Sequence, residues 1–345
     1  MEFEELEKKY VELNSRLNKM EKNNNRILNS YNDLFNSIFI DYELKPKGLL
    51  KCRLDLLTEM LTFIDKICKK HDIKWWLNYG TLLGAYRHSS FIPWDDDVDI
   101  SMTRKDFNKF LKIINDEINE NNLDDCLYLL NGYLVEKDFI ISFPSLICRL
   151  PSSIKENALK FNVYNLGFID IFPFDYAVNS EKINDQIYTD FRDEFYVKSI
   201  KGIPKTELIN EYYDKLDLSL NETNIIIPGF DGVHGLNCDY NLIKYKTEDI
   251  FPLKTISFNN RKYYCPNNTK EYLEKMYGKS FMKVPKIIHH HNALSNSRLI
   301  EHISECYEEQ ISKLKLFNSS EICNDVEEKG NKTKKGNLLN KIWNK

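Results

Sequence analysis

Gly80-Thr81-Leu82-Leu83-Gly84-Ala85-Tyr86-Arg87, followed by Ile92-Pro93-Trp94-Asp95-Asp96-Asp97-Val98-Asp99-Ile100, is the stretch on which the reading of this chain turns. Four carboxylates, Asp95, Asp96, Asp97 and Asp99, fall within five residues. Val98-Asp99-Ile100 reads as a β-strand leaving the acidic run. Side chains alternate along a strand, and those on one face stand about 7 Å apart. Asp97 and Asp99 therefore share a face while Val98 points to the core. Carboxylates fixed in that way repel each other unless a cation lies between them. Their hard oxygens favour Mg²⁺ or Mn²⁺. The small Gly80-Thr81 turn upstream suits a phosphate, through backbone N–H groups and the hydroxyl. A bare run of Asp is more often a solvated loop. Here Pro93, Trp94 and the apolar Val98 and Ile100 frame the run, and that framing favours a metal site.

The rest of the chain limits the classes to which such a site can belong. Lys plus Arg is 48 against 52 Asp plus Glu, a net charge of −4, so no basic excess points to nucleic acid. With 345 residues, 42% hydrophobic and 13% aromatic, the chain can bury one large core or two small ones. No apolar run approaches the roughly 20 residues that span a bilayer. The acidic start, Met1-Glu2-Phe3-Glu4-Glu5, lacks the apolar stretch of a secretory signal, so the expected location is the cytoplasm. Eight scattered cysteines without a Cys-x-x-Cys pair argue against a zinc knuckle and against a disulfide framework.

Residues 1–39 carry a heptad repeat. Leu6, Leu13, Met20, Ile27 and Leu34 recur every seven residues, with Tyr10, Leu17, Asn24, Tyr31 and Ile38 interleaved. Placing the first set at d and the second at a gives a seam of about four and a half heptads, with a polar Asn24 at an a position. The strict period predicts a coiled coil and a homodimer through residues 1–39; the alternative is one amphipathic helix packed on its own domain. Pro46 and Gly48 mark a linker over 40–48. Leu54, Leu57, Leu61, Ile64 and Cys68 then predict an amphipathic helix ending near His71. Lys74–Tyr79 reads as a strand, Thr81–Arg87 as a short helix, and Thr103 as the N-cap of a helix using Phe107, Phe110, Leu111 and Ile114. Further strands are expected over 138–143, 146–150 and 168–172, helices over 180–220, and short strands and turns over 225–292. His289-His290-His291 cannot all face one ion on a regular element. The turn around Phe230-Asp231-Gly232 and His234 has no assignable role. The segment 321–345 is Lys-rich with an apolar tip at Trp343. Its base reading is a disordered tail, and the second is weak contact with an anionic membrane surface.

Four separated motifs resemble one family. Trp76–Arg87 with Phe91–Ile100 is similar to the signature of LicD-family phosphotransferases, whose module fukutin and fukutin-related protein share. Gly167-Phe168-Ile169-Asp170-Ile171-Phe172-Pro173-Phe174-Asp175 resembles the family's second acidic motif. Ile250–Leu253, Cys265-Pro266-Asn267 and Tyr272–Gly278 resemble its C-terminal signature. The likeness runs in order from about residue 50 to about 292.

The resemblance implies an α+β fold. A nucleotidyltransferase-like mixed sheet, with its core about 49–178, would lie flanked by helices within a catalytic domain spanning 49–320. It implies a Mg-dependent (or Mn-dependent) transfer of phosphocholine or a similar phospho-alcohol. The donor would be a CDP-alcohol, CDP-choline first, and the acceptor a glycan hydroxyl, free or lipid-linked; CMP is released. Asp97 and Asp99 are the expected metal ligands. Asp170, a lone carboxylate in an apolar setting, would complete the metal site or act as the base; the alternative is a turn cap before Pro173. Gly80, Thr81 and Arg87 would meet donor phosphates, with Asp95 and Asp96 behind the ligands or facing substrate; Arg87 pairing with Asp95 or Asp96 is the alternative. A true nucleotidyltransferase and a non-catalytic coiled-coil protein remain the competing functional readings.

Overall fold

The computed structural model describes residues 2–38, 45–131, 134–136, 139–141, 143–151, 165–232, 242–284 and 300–320. The helices among these are α1 (Glu2–Ile38), α2 (Gly48–Lys70), α3 (Tyr79–His88), α4 (Arg104–Glu120), α5 (Asp185–Ile200), α6 (Lys205–Leu216), α7 (Thr247–Ile250), α8 (Thr269–Tyr277) and α9 (Ile300–Ser319). The strands are β1 (Trp76–Leu77), β2 (Val98–Thr103), β3 (Leu127–Leu130), β4 (Leu134–Glu136), β5 (Phe139–Ile141), β6 (Ser145–Cys148), β7 (Gly167–Ala177), β8 (Leu218–Ser219), β9 (Ile225–Pro228), β10 (Tyr245–Lys246), β11 (Lys254–Phe258) and β12 (Arg261–Cys265).

A mixed eight-stranded sheet is the frame. Its main path runs β1-β2-β7-β6-β3, and β8, β9 and β10 extend it along the far half of β7. β2 and β7 run parallel, in the register Asp99 to Asp170; β1 with β2 and β6 with β7 are antiparallel. Val98, Ile100 and Met102 are fully buried on β2, as alternation demands. One face of β7 meets α2, where a Cβ on Gly167 would come within 3.2 Å of Leu57. The other face carries Asp170, Phe172 and Phe174, whose rings pack on Tyr79 and Trp76.

β7 is longer than its sequence suggests, because it passes straight through Pro173. Ile171 N–H donates to Pro144 O, and β9 pairing starts only at Phe174. Pro173 therefore sits between the end of β6 and the start of β9, where the missing N–H leaves no ladder bond unmade. This removes the turn-cap alternative for Asp170, which lies mid-strand.

Other expectations are met within a residue or two. α2 ends at Lys70, and the Thr103 hydroxyl caps α4 by accepting from Asp106 N–H. The strand read over 74–79 shrinks to Trp76–Leu77, and α8 falls in a segment expected to hold strands and turns. α9, not anticipated, lies against α2, with the Phe317 ring tilted against Phe63 at 5.1 Å and Lys66 Nζ donating to Phe317 O. Aromatic and aliphatic side chains of α5, α6 and the 230–232 turn form a second, smaller core around Tyr188, Phe195, Tyr212 and Phe230. His234, His289–His291, Asp138, Ser142, residues 40–44 and the Lys-rich tail fall outside the described residues. Among the described residues no helix is long and apolar enough to cross a membrane.

Candidate active site

Asp99 and Asp170 are register partners on adjacent parallel strands, so their side chains emerge side by side on one face of the sheet. The remaining acids arrive from the loop before β2. Burial, followed by the charges of Asp97, Asp170 and Asp95, pushes the Asp99 carboxyl well above its ordinary range, and a Gly80 N–H bond opposes that shift. Four carboxylates thus feel one another at the open end of β2. The sequence had pointed to Asp97, Asp99 and Asp170 together, although 71 residues separate the last two.

The start of α3 holds Asp99 in place. Asn78 N–H donates to Asp99 O (3.0 Å), and Asp99 N–H donates to Thr81 Oγ1 (2.8 Å). The Thr81 side chain is buried, and its hydroxyl oxygen accepts from Asp99 N–H, which leaves the hydroxyl proton to donate elsewhere. Gly80 lies so close to the acids that a Cβ there would stand 2.7 Å from Asp95 Oδ2 and 3.9 Å from Asp99 Oδ2. Asn78 is itself pinned, donating to Ser101 Oγ (2.7 Å) and accepting from Tyr272 O–H (2.8 Å). Tyr79, between Asn78 and Gly80, takes a left-handed φ of 40° and packs edge-on against Phe172. Non-glycine residues pay strain for that conformation, and such strain concentrates at functional sites.

Asp170 is 8% exposed and accepts a 2.5 Å bond from Ser145 O–H, its cross-strand partner on β6. Asp96 behaves differently from its neighbours. At 3% exposure it turns inward to Arg53 of α2, whose Nε donates to Asp96 O (2.6 Å) and lies 3.6 Å from Asp96 Oδ2. Of the two positions expected for Asp96, behind the ligands or facing substrate, this contact fits the first. The Asp96–Arg53 pair anchors the loop that presents Asp95 and Asp97, and Arg53 also stacks over Phe168 at 5.2 Å.

Arg87 sits half-buried two turns up α3 from Gly80. Nη1 donates to Phe281 O (3.3 Å) and Lys283 O (3.4 Å), and Nε donates to His88 Nε2 (2.8 Å). Burial lowers its pKa, while the charges of Tyr277 and Asp95 oppose the shift. Burial and Arg87 bring His88 down to about 4, so the imidazole is neutral and accepts at neutral pH. The sequence reading gave no role to Arg53 or Ser145, and it placed Asn78 and Tyr272 only within the motifs Trp76–Arg87 and Tyr272–Gly278. The inward turn of Asp96 follows from its parity with buried Val98 and Ile100.

Among the described residues no group of three or more His, Cys, Asp or Glu side chains is arranged to hold a metal ion by itself. Mg²⁺ rarely demands such a cage; it commonly takes one or two carboxylates and completes its shell with water and substrate phosphate. Asp99 beside Asp170, with Asp97 near, is a donor set of that kind.

Residues 72–210 match the family described as LicD/FKTN/FKRP, nucleotidyltransferase domain. Over these residues the chain is similar to the LicD-family domain. A lipopolysaccharide cholinephosphotransferase LicD of Haemophilus influenzae is 31% identical over 125 residues, 36% of this chain and 43% of that protein. The ribitol 5-phosphate transferase FKRP of mouse and of human is 38% identical over 55 residues, 16% of this chain and 11% of each relative. An uncharacterized Rickettsia typhi protein is 40% identical over 58 residues, 17% of this chain and 19% of that protein. The matched stretch spans less than half the length of each of these relatives. Both relatives with a stated activity transfer phosphate-containing groups.

Proposed function

We propose that this chain is a Mg²⁺-dependent transferase of the LicD type, with a nucleotidyltransferase-like core. It moves phosphocholine or a similar phospho-alcohol from a CDP-activated donor to a hydroxyl of a glycan precursor, on the cytoplasmic side of the membrane. The observation that carries this reading is the pairing of Asp99 with Asp170 across two parallel strands, with Asp97 and Asp95 beside them. Such a set gathers negative charge where a polyanionic donor must bind, and only a cation reconciles the two. Asp99 and Asp97 would hold Mg²⁺, which supplies charge neutralisation on the phosphates when bound.

The chain's own groups do the rest. Gly80, having no side chain, lets the donor approach the acids. Arg87 presents a cation near Asp95 for a phosphate. Asp170, held by Ser145, would take the proton of the acceptor hydroxyl as that oxygen attacks phosphorus, or else complete the metal site. The new P–O bond forms to the acceptor, the bond to the bridging oxygen breaks, and CMP leaves with the electron pair.

Product analysis with CDP-choline and a glycan acceptor tests the reading. Free CMP and a phosphocholine-modified acceptor support it, whereas a nucleotidylated acceptor gives the nucleotidyltransferase alternative instead. Asp99→Asn should abolish turnover and also remove the gain in melting temperature that millimolar Mg²⁺ with CDP gives the wild type. No such gain in the wild type overturns the metal assignment. Asp170→Asn separates its two roles: loss of kcat at unchanged donor affinity marks the base, and a parallel loss of Mg²⁺ affinity marks a ligand.

A further inference from the structure

α1 is a helix of 37 residues, about 56 Å of rod at 1.5 Å per residue. Its eight apolar a and d side chains between Leu6 and Leu34 remain 45–66% exposed. An isolated amphipathic helix gains little from intrinsic propensity, and its stability comes from covering that stripe. Among the described residues the catalytic body does not supply the cover. It meets α1 near the C-terminal end, where Asn32 Nδ2 donates to Val284 O (2.7 Å) and Asn36 Oδ1 accepts from Val284 N–H (2.9 Å).

We propose that the occupant of this seam is α1 of a second copy, paired in parallel and in register. Three features select that partner. The seam follows a seven-residue period, the pattern that closes a two-stranded coiled coil, over its full length. Asn24 occupies an a position, and in a parallel pair it meets its own copy, amide to amide. An antiparallel pair sets a against d′, so each Asn24 amide would face an apolar side chain without a matching group. Arg16 at g and Glu21 at the following e are complementary, and parallel pairing brings them together twice, once on each side of the seam.

The orientation has a consequence for the site. The Val284 clamp lies next to Phe281 and Lys283, whose carbonyls receive Arg87. Parallel pairing sets both catalytic bodies at one end of the rod, each clamped to its own helix beside its own Arg87. Resting on the transferase reading, this geometry suits an acceptor that offers repeated hydroxyls on one surface.

The test is independent of any activity. Sedimentation of the full chain at micromolar concentration should give about twice its 40.9 kDa mass. Leu13→Glu with Met20→Glu should shift it to the monomer mass while the melt of the catalytic body stays unchanged. Tyr10→Cys, at an a position near the N-terminus, should form a disulfide-linked dimer on mild oxidation that the wild type does not form. In an antiparallel pair the two Tyr10 positions lie roughly 30 Å apart, from the helical rise. A monomeric wild type, or a dimer that survives the Leu13 and Met20 changes, overturns the proposal. A dimer in which Tyr10→Cys cross-links no more than wild type overturns the parallel register.

Discussion

Asp231→Asn probes the charged network that fastens the second core to the sheet. Arg104, at the first position of α4, is buried among two carboxylates. Its Nε and Nη2 grip Asp175 at 2.7 and 2.8 Å, and its Nη2 and Nη1 grip Asp231 at 2.7 and 2.9 Å. Tyr213 O–H adds a 2.5 Å bond to Asp175, and Lys205 Nζ lies 3.5 Å from Asp231. Two acids and two bases balance, so the cluster is buried without net charge. Asparagine at 231 leaves one positive charge in excess, and breaking a buried pair from one side costs about 3–5 kcal/mol. Urea unfolding followed by tryptophan fluorescence should show the midpoint falling by about 1 M or more, at a slope of about 3 kcal/mol/M. The pH dependence gives a second check. Although burial opposes it, Arg104 and Lys205 hold the Asp231 carboxyl down at about 2, against an ordinary 3.8. A depressed acid stabilises the fold above its unfolded pKa and loses that contribution as pH falls toward the folded value. At about 1.4 kcal/mol per unit the full contribution is about 2.4 kcal/mol, of which about 1 kcal/mol is gone by pH 3. The gap between wild type and variant should therefore be flat from pH 8 to pH 5 and narrow below pH 4. A loss under about 1 kcal/mol at neutral pH, or a gap indifferent to acid, refutes this account of the network.

Two further substitutions test how the acidic loop is held. Gly84→Ala lies mid-helix, where alanine ordinarily gains about 1 kcal/mol; here its Cβ would stand 2.6 Å from Ser90 O and 2.8 Å from Ile92 N, backbone that cannot swing aside. Overpacking of about 1–3 kcal/mol should win, and a raised melting temperature would show that α3 does not press on the 90–92 turn. Arg53→Lys keeps the charge beside Asp96 but loses the directed Nε bond to its carbonyl; Mn²⁺ titration should then show about tenfold weaker binding at a nearly unchanged melt, and wild-type affinity would mean that Arg53 does not position the loop.

The parts of this protein legible in its sequence are those written in local period. Alternation at Val98, Asp99 and Ile100 marked β2, three-four spacing marked α2, and the heptad marked α1, because each pattern repeats within a few residues. The contacts that make the site were illegible for the opposite reason. Arg53 reaches Asp96 across 43 residues, and Tyr272 reaches Asn78 across 194. Nothing near either partner advertises the other. The acidic run feels both sides of this asymmetry. As a string, Asp95, Asp96 and Asp97 are interchangeable, and a reading by residue type gives all three to the donor. In the fold they divide by parity. Asp96 continues the inward series of Val98 and Ile100 and must therefore find a cation inside the protein, which α2 supplies. Asp97 continues the outward series of Asp99, where the protein offers more carboxylate. The same alternation that buries one acid against an arginine thus leaves the others crowded together, and their mutual repulsion on the outward face is the reason to expect a cation from solution there.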